Sequence, residues 1–233
     1  MKLPQPLVPA EFVTRLNRFA LTALVEGKEV VVHVANSGRL KELLLPANSL
    51  YLSHAPKGSQ RKTSFDLVLV EVDGTLVSAD ARLPNRLVEQ AIISGRIEQF
   101  SGYADRRREV THGKSRFDFT LSTGKDRLFI EVKSVTLVED GLGLFPDSPT
   151  TRGRKHVQGL KDIVSEGGRG AVVFVVQRPD VNAFSPNRSA DPEFWETMDQ
   201  AIDAGVEAYA FRCCVNMSSV AIQRQIPILK ERR

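Results

Sequence analysis

Residues 115–135 read SRFDFTLSTGKDRLFIEVKSV, which is two strand-like segments joined by a polar turn. Side chains alternate between the two faces of a strand, so Glu131 and Lys133 share one face while the intervening Val132 points to the opposite, apolar face. The turn brings Asp118 beside this strand. We therefore predict that two carboxylates and one lysine lie together next to buried hydrophobic residues.

This acid–acid–lysine set favours a nuclease-like metal site. Charged groups among apolar neighbours are costly unless something compensates them, and a divalent cation does so. Mg²⁺ or Mn²⁺ binds a few carboxylate oxygens together with waters and substrate phosphate. We predict Asp118 and Glu131 as the metal ligands, with Lys133 orienting or deprotonating the water that attacks phosphorus. The alternative is a plain Glu131–Lys133 ion pair, because an acid-x-lysine triplet alone is a common pattern.

The flanking segments carry the remaining candidate residues. Residues 85–99 are typical of a helix with Asn85 as its N-cap, and Glu89 on that helix could reach the metal or its water. The alternative for Glu89 is an ordinary surface glutamate. Basic clusters lie on both sides of the carboxylates, which favours a phosphate-facing surface over a merely solvated one. The predicted DNA contacts in these clusters are Arg106, Arg107, Arg108, Arg116, Arg154, Lys155 and His156.

The chain changes character near residue 81. Before it, strand patterns, the turn Asp73-Gly74 and one short helix at 38–45 predict a small barrel of the OB type, although a generic five-stranded sheet fits equally well. After it, helices and strands alternate, which predicts an α/β domain. The expected domains are residues 1–81 and 82–233. The expected elements of the second are helices at 85–99, 152–166 and 191–204 and strands at 106–111, 115–121, 127–135, 171–177 and 206–212.

Composition excludes several classes of protein. The net charge of +4 is consistent with polyanion binding. Neither a signal peptide nor an apolar run of ~18 residues is present, so we expect a soluble, cytoplasmic protein. Cys213 and Cys214 are adjacent, which rules out a disulfide framework, and we expect both to be buried strand residues. The sequence has no phosphate-binding loop, nucleophile elbow or dinucleotide motif.

Several unusual strings along nearly the whole chain resemble the sugar fermentation stimulation protein A (SfsA) family. They are residues 36–39, 84–88, 107–110, 115–119, 131–137, 145–147, 152–156 and 174–178. The resemblance implies an OB-like N-terminal domain, a C-terminal domain of the PD-(D/E)XK nuclease type, DNA binding, and a role in regulating bacterial genes of sugar (maltose) catabolism. The nuclease pattern falls on Asp118, Glu131 and Lys133, with Glu89 as the helix acid. Arg39, in the first string, joins the predicted DNA contacts.

Two functions remain in competition. The first is a DNA-binding protein with a phosphodiesterase site that uses Mg²⁺ or Mn²⁺. The second is a catalytically inactive DNA-binding regulator or accessory factor, although no helix-turn-helix pattern is present. DNA is the expected partner in both, a membrane is not, and strand form and homodimer formation stay open. An OB barrel could also bind single strands through Phe19 or Tyr51, but we expect these aromatic residues in the core.

Overall fold

The first third of the chain is a closed barrel. The computed structural model of the chain describes residues 1–46, 48–56, 58, 61 and 63–229. Its first six strands are β1 (Val8–Asn17), β2 (Ala20–Val25), β3 (Lys28–His33), β4 (Ser49–His54), β5 (Phe65–Val72) and β6 (Thr75–Ser78). They pair in the order β3-β2-β1-β4-β5-β6, and a short parallel contact between β3 and β5 closes the first five strands into a barrel. The predicted OB-like barrel is thus confirmed, in preference to the generic five-stranded sheet.

The predicted helix at 38–45 is wrong. The backbone N–H groups of Leu43 and Leu44 both donate to the carbonyl of Leu40, at 3.1 and 2.9 Å, and this makes only a single turn. Leu40 has a φ of 52°, which lies in the left-handed region and cannot be part of a continuous right-handed helix. The apolar spacing that suggested a helix instead buries these three leucines in the core of the barrel.

The rest of the chain forms a second sheet with helices on both faces. Its elements are α1 (Leu83–Ile93), β7 (Asp105–His112), β8 (Ser115–Thr123), β9 (Asp126–Val135), β10 (Val138–Glu139), β11 (Leu142–Phe145), α2 (Thr151–Ser165), β12 (Arg169–Val176), β13 (Ala183–Pro186), α3 (Pro192–Asp203), β14 (Glu207–Asn216) and β15 (Ser219–Ile226). The large sheet has the order β15-β14-β12-β9-β8-β7, in which β9, β12 and β14 run parallel. Residues of α1 pack on one face, and those of α2 and α3 on the other. The predicted mixed α/β architecture is confirmed.

The start of α1 differs from the prediction. This helix begins two residues earlier than expected and ends at Ile93, shortly before Gly95 with its φ of 67°. Arg82 occupies the N-cap position, so Asn85 lies inside the first turn and the prediction that it caps the helix is wrong. Within the described residues, no helix combines the length and apolar character needed to cross a bilayer.

Four short or terminal strands are not predicted by the sequence patterns, namely β10, β11, β13 and β15. The first three form a small separate sheet, and β15 pairs antiparallel with the edge of β14. The adjacent cysteines on β14 point to opposite faces, as alternation requires. Cys213 is therefore buried and Cys214 exposed, so the prediction that both are buried is wrong for Cys214.

Polar contacts hold the barrel against the second sheet. Asp147, after β11, accepts the backbone N–H of Arg39 at 2.5 Å. Ser78, at the end of β6, donates its hydroxyl to Gln177 Oε1 at 3.1 Å and its backbone N–H to the Gln177 carbonyl at 3.0 Å. The predicted domain boundary after Ala81 falls between β6 and α1.

Asp191 ties α3 to the start of α2. Its buried carboxylate accepts the backbone N–H groups of Phe194 and Thr150, at 2.9 and 2.7 Å, and the guanidinium of Arg154 at 2.8 Å. Burial by itself raises the pKa of Asp191, but these donors outweigh it and lower the pKa below its ordinary value. The charged form of Asp191 therefore stabilises the fold.

We expect Asp191→Ala to lower the free energy of unfolding by about 3 kcal/mol, because it leaves the backbone N–H groups of Thr150 and Phe194 without an acceptor and removes one partner of the half-buried Arg154. Asp191→Asn is the matched variant, which keeps an acceptor and removes the charge. The lowered folded pKa means that the advantage of wild type over Asp191→Asn is fully present above pH ~4 and is lost as the pH falls through that pKa. Urea unfolding at pH 7 and pH 3 measures both effects, and equal stability of all three proteins at pH 7 would contradict the assignment.

Candidate metal centre and nucleic-acid interface

The candidate site lies where β8 and β9 part from each other. Backbone pairing between these strands runs from Thr123 back to Phe119. One residue further, Asp118 Oδ2 accepts the backbone N–H of Val132 at 2.8 Å, so a side chain takes the place of the next backbone partner. Phe117 and Phe119 accordingly contribute to cores on opposite faces of the sheet. This local irregularity turns the Asp118 carboxylate towards the side chains of β9.

Asp118 is held at both oxygens. Besides the Val132 N–H on Oδ2, the amide of Asn85 on α1 donates to Oδ1 at 2.7 Å. Burial raises the pKa of Asp118, the negative charge of Glu131 raises it further, and the two hydrogen bonds only partly offset these effects. The repulsion between these two carboxylates makes a second negative charge costly unless a cation is added.

Glu131 is the most buried acidic residue of the site, with 4% of its surface exposed. Its Oε1 accepts Lys133 Nζ at 2.7 Å and contacts His156 Nδ1 from α2. Its Oε2 is buried and has no hydrogen-bond partner among the described residues. Burial raises the pKa of Glu131, but Lys133 and His156 outweigh burial and lower it. A charged carboxylate that leaves one buried oxygen without a hydrogen-bond partner is energetically costly.

Lys133 and His156 approach the same oxygen from two elements. Both are largely buried, at 9% and 7% exposure. His156 was predicted to contact phosphate, yet the structure directs its ring to Glu131. The spacing of His156 from the buried Leu160 and Ile163 puts it on the inner face of α2, and this signal was available in the sequence.

Glu89 lies on α1 one turn beyond Asn85, and it contacts two of the predicted DNA-binding arginines. Arg106 Nε lies 3.3 Å from its carboxylate, and Arg108 forms a closer ion pair with it. The α1 residue that touches Asp118 is Asn85 instead. A metal-binding role for Glu89 stays a prediction.

The other predicted DNA contacts differ in how free they are. Arg116 pairs with Glu109 at 3.1 Å, and Arg154 pairs with Asp191 at 2.8 Å, so both guanidinium groups already have acidic partners. Among the predicted DNA contacts, three side chains are exposed and have no ion pair to a described residue, namely Arg39, Arg107 and Lys155. These three are the most available for phosphate.

A cleft of about 890 Å³ opens between the barrel and the second sheet. Lys133 lines it from β9, and the basic side chains of Arg18, Arg82 and Arg152 line it from the barrel, the connection to α1 and the start of α2. Within the described residues, no group of three or more His, Cys, Asp or Glu side chains has metal-binding geometry. A cation held by Asp118 and Glu131 would therefore complete its ligands with water or phosphate oxygens, as Mg²⁺ commonly does.

The fold and the site together define a class of protein, in which an OB-like barrel precedes an α/β domain with an acid–acid–lysine set at the centre of its sheet. Two family models match the chain, the "SfsA N-terminal OB domain" over residues 13–79 and the "Sugar fermentation stimulation protein RE domain" over residues 82–219. The chain belongs to the SfsA family, as the sequence strings predicted.

Relatives share the whole length of the chain. The sugar fermentation stimulation protein homologs of Desulforamulus reducens and Moorella thermoacetica are each 46% identical to it, over 97% and 95% of this chain and 93% and 96% of theirs. Among solved structures, that of Pyrococcus furiosus SfsA in complex with Ca²⁺ superposes with a TM-score of 0.89 at 29% identity, over 98% of this chain and 99% of that one.

We expect Asp118→Asn to raise the metal-free free energy of unfolding by roughly 1 kcal/mol, because it removes one of two neighbouring buried negative charges. The amide oxygen of the variant still accepts the Val132 N–H, and its NH₂ group can donate to Asn85 once the Asn85 amide turns over. Urea unfolding in the presence of a chelator measures this. Asp105→Asn, at an exposed position of β7, is the control and should leave stability unchanged. A loss of stability in Asp118→Asn would mean that its charge serves the fold instead of a ligand.

Proposed function

We propose that this chain is a DNA-binding protein with a divalent-metal-dependent phosphodiesterase site on Asp118, Glu131 and Lys133. The observation that carries the proposal is the buried, partnerless Oε2 of Glu131 next to a second carboxylate. Structural ion pairs ordinarily satisfy both oxygens of a buried carboxylate, because an unsatisfied one costs stability. A divalent cation held by the two carboxylates would give Glu131 Oε2 its partner.

The carboxylates fit Mg²⁺ or Mn²⁺. Asp118 and Glu131 would hold the ion, and both offer hard oxygen donors. The Pyrococcus furiosus relative was solved in complex with Ca²⁺, which prefers the same donor atoms. When bound, such an ion acts as a Lewis acid on phosphoryl oxygens and lowers the pKa of water. The fit rests on donor chemistry together with the cost of two neighbouring buried negative charges.

The remaining residues orient and bind. Lys133 donates one N–H to Glu131 Oε1, and its two other N–H groups can donate to a water or a phosphate oxygen in the cleft. His156 holds the same Glu131 oxygen from α2, and this fixes the carboxylate with Oε2 free. Asp118 is fixed at both oxygens, by Asn85 at Oδ1 and by the backbone N–H of Val132 at Oδ2. Arg39, Arg107 and Lys155 would bind the phosphates on either side.

The second unit would be of the PD-(D/E)XK nuclease type, with residues 1–81 as the barrel domain and 82–233 as the nuclease-like domain. Support comes from the order of its groups, in which Asp118 lies on one strand and Glu131-x-Lys133 on the next. The relatives are named for sugar fermentation, and an action on DNA that affects genes of sugar catabolism is part of the same proposal.

Metal binding is tested by thermal unfolding, which requires no catalytic activity. Mn²⁺ should raise the melting temperature of wild type, because it binds the folded site only. Asp118→Ala and Glu131→Gln should lose this shift. Lys125→Ala, an exposed lysine on the turn before β9, is the control and should keep it. An unchanged shift in both acid variants would place the ion elsewhere and remove the basis of the proposal.

Cleavage is tested with single- and double-stranded DNA in Mg²⁺ or Mn²⁺. We expect Lys133→Ala to lower the rate by roughly 10³-fold while it retains metal binding, as for loss of a group that stabilises charge in the transition state. Cleavage that persists in Asp118→Ala and Glu131→Ala would reveal a contaminant. Metal binding and DNA binding without cleavage would favour the alternative, a catalytically inactive regulator.

Phosphate contacts are tested by the salt dependence of DNA affinity. Each phosphate neutralised by a side chain contributes about 0.9 to the slope of log K against log salt. Arg107→Ala and Lys155→Ala should each make that slope less steep by about this amount. Arg169→Ala, whose guanidinium is paired with Glu207 at 2.6 Å, is the control. An affinity that hardly changes with salt in wild type would contradict electrostatic DNA binding.

A further inference from the structure

Phe19 is an aromatic side chain that the fold leaves in solvent. It lies in the two-residue turn between β1 and β2, with 52% of its surface exposed, and it lines the cleft between barrel and second sheet. The sequence expectation that it belongs to the core is wrong. Tyr51, the other candidate for stacking, is half-buried on β4 and its hydroxyl donates to Glu71 at 2.7 Å.

The backbone on both sides of Phe19 is anchored. Its N–H donates to Asn17 Oδ1 at 2.8 Å, and its carbonyl accepts the N–H of Val34 at 2.9 Å. The ring thus projects from a turn whose own backbone is fixed. The ring is therefore presented to the cleft from a fixed position.

The Arg15 side chain also holds the turn that carries Phe19. Its guanidinium donates to the carbonyls of Asn17 at 3.1 Å and Arg18 at 2.8 Å, and it also reaches the carbonyl of Arg39 across the cleft edge. One side chain therefore links the Phe19 turn to the loop that Asp147 holds against the second sheet. The position of the ring is coupled to the wall of the cleft.

The cleft between Phe19 and Lys133 is predominantly basic. Arg18 stands beside the ring, and Arg152 and Lys133 lie on the opposite wall. The acidic residue in the lining, Asp147, has its carboxylate engaged by the backbone of the barrel loop. A positive groove with an exposed aromatic side chain is the combination that binds single strands, because the groove follows the phosphates while bases stack on the ring.

We propose that Phe19 is a base-stacking platform for single-stranded DNA, with Arg18 on the adjacent phosphate and the strand running through the cleft to Lys133. The inference rests on the proposed function for its polyanionic substrate and adds the strand form. A duplex hides the faces of its bases except at the ends, so a ring on the cleft wall can stack only on an unpaired base. Lys133 is also largely buried, which suits a flexible strand better than a rigid duplex.

Fluorescence anisotropy with a chelator present tests the platform in the full chain without cleavage. Phe19→Ala should weaken binding of a mixed-sequence single strand by roughly tenfold, as loss of one base–aromatic stack predicts, and change affinity for a blunt duplex less than twofold. Phe19→Tyr should retain affinity. Leu16→Ala removes an equally exposed apolar side chain of β1 that is outside the cleft lining, and it should have no effect.

An abasic strand of the same length separates stacking from charge, and Phe19→Ala should not weaken its binding. Single-strand affinity that is unchanged in Phe19→Ala, or lost equally for duplex and abasic strands, would overturn the platform. Tighter binding of RNA than of DNA of the same sequence would overturn the assignment to DNA. Loss of metal binding or cleavage leaves these results intact, so failure of the phosphodiesterase proposal is distinguishable from failure of this one.

Discussion

The burial of a charged Glu131 at the centre of the second sheet is the constraint on which the rest of the site depends. Transfer of a carboxylate out of water costs several kcal/mol unless it is compensated. Lys133 and His156 contact Oε1 of Glu131, whereas Oε2 has no hydrogen-bond partner among the described residues. Parallel pairing of β9 with β12 fixes the backbone beneath Glu131, and the parting of β8 from β9 brings Asp118 to it.

The attachment of the barrel forms the cleft that Lys133 lines. Asp147 holds the loop at Arg39, and Arg15 ties that loop to the turn that carries Phe19. Both contacts use backbone atoms of the barrel, so they fix the position of the chain without occupying its exposed side chains. The cleft that results joins a basic rim to Lys133. Neither domain alone would form it, since its lining comes from both.

Strong periodic patterns made much of the fold predictable. The Asp73-Gly74 turn, the continuous apolar strand β12 and the amphipathic helix α2 lie where local chemistry indicates. Prediction from sequence failed where tertiary contacts outweigh the local spacing of apolar residues. Leu40 adopts a left-handed φ where it and the leucines that follow it are buried in the barrel core, and this φ breaks the expected helix. Short strands such as β10 are formed by their partners, so they carry no pattern of their own.

The amino-acid sequence alone indicates that Glu131 and Lys133 share a strand face and that a hairpin carries Asp118 to the neighbouring strand, because alternation and turns are local properties. The direction of the Asp118 carboxylate comes from the parting of β8 and β9. The sequence also determined the family, since long uncommon strings run along the chain. The partners of the two carboxylates are visible only in the folded chain, where Asn85 holds Asp118 and His156 holds Glu131. The tertiary structure alone placed Phe19 in solvent beside the cleft. These contacts join residues distant in the chain, and no local rule specifies which helix face or turn will meet which strand.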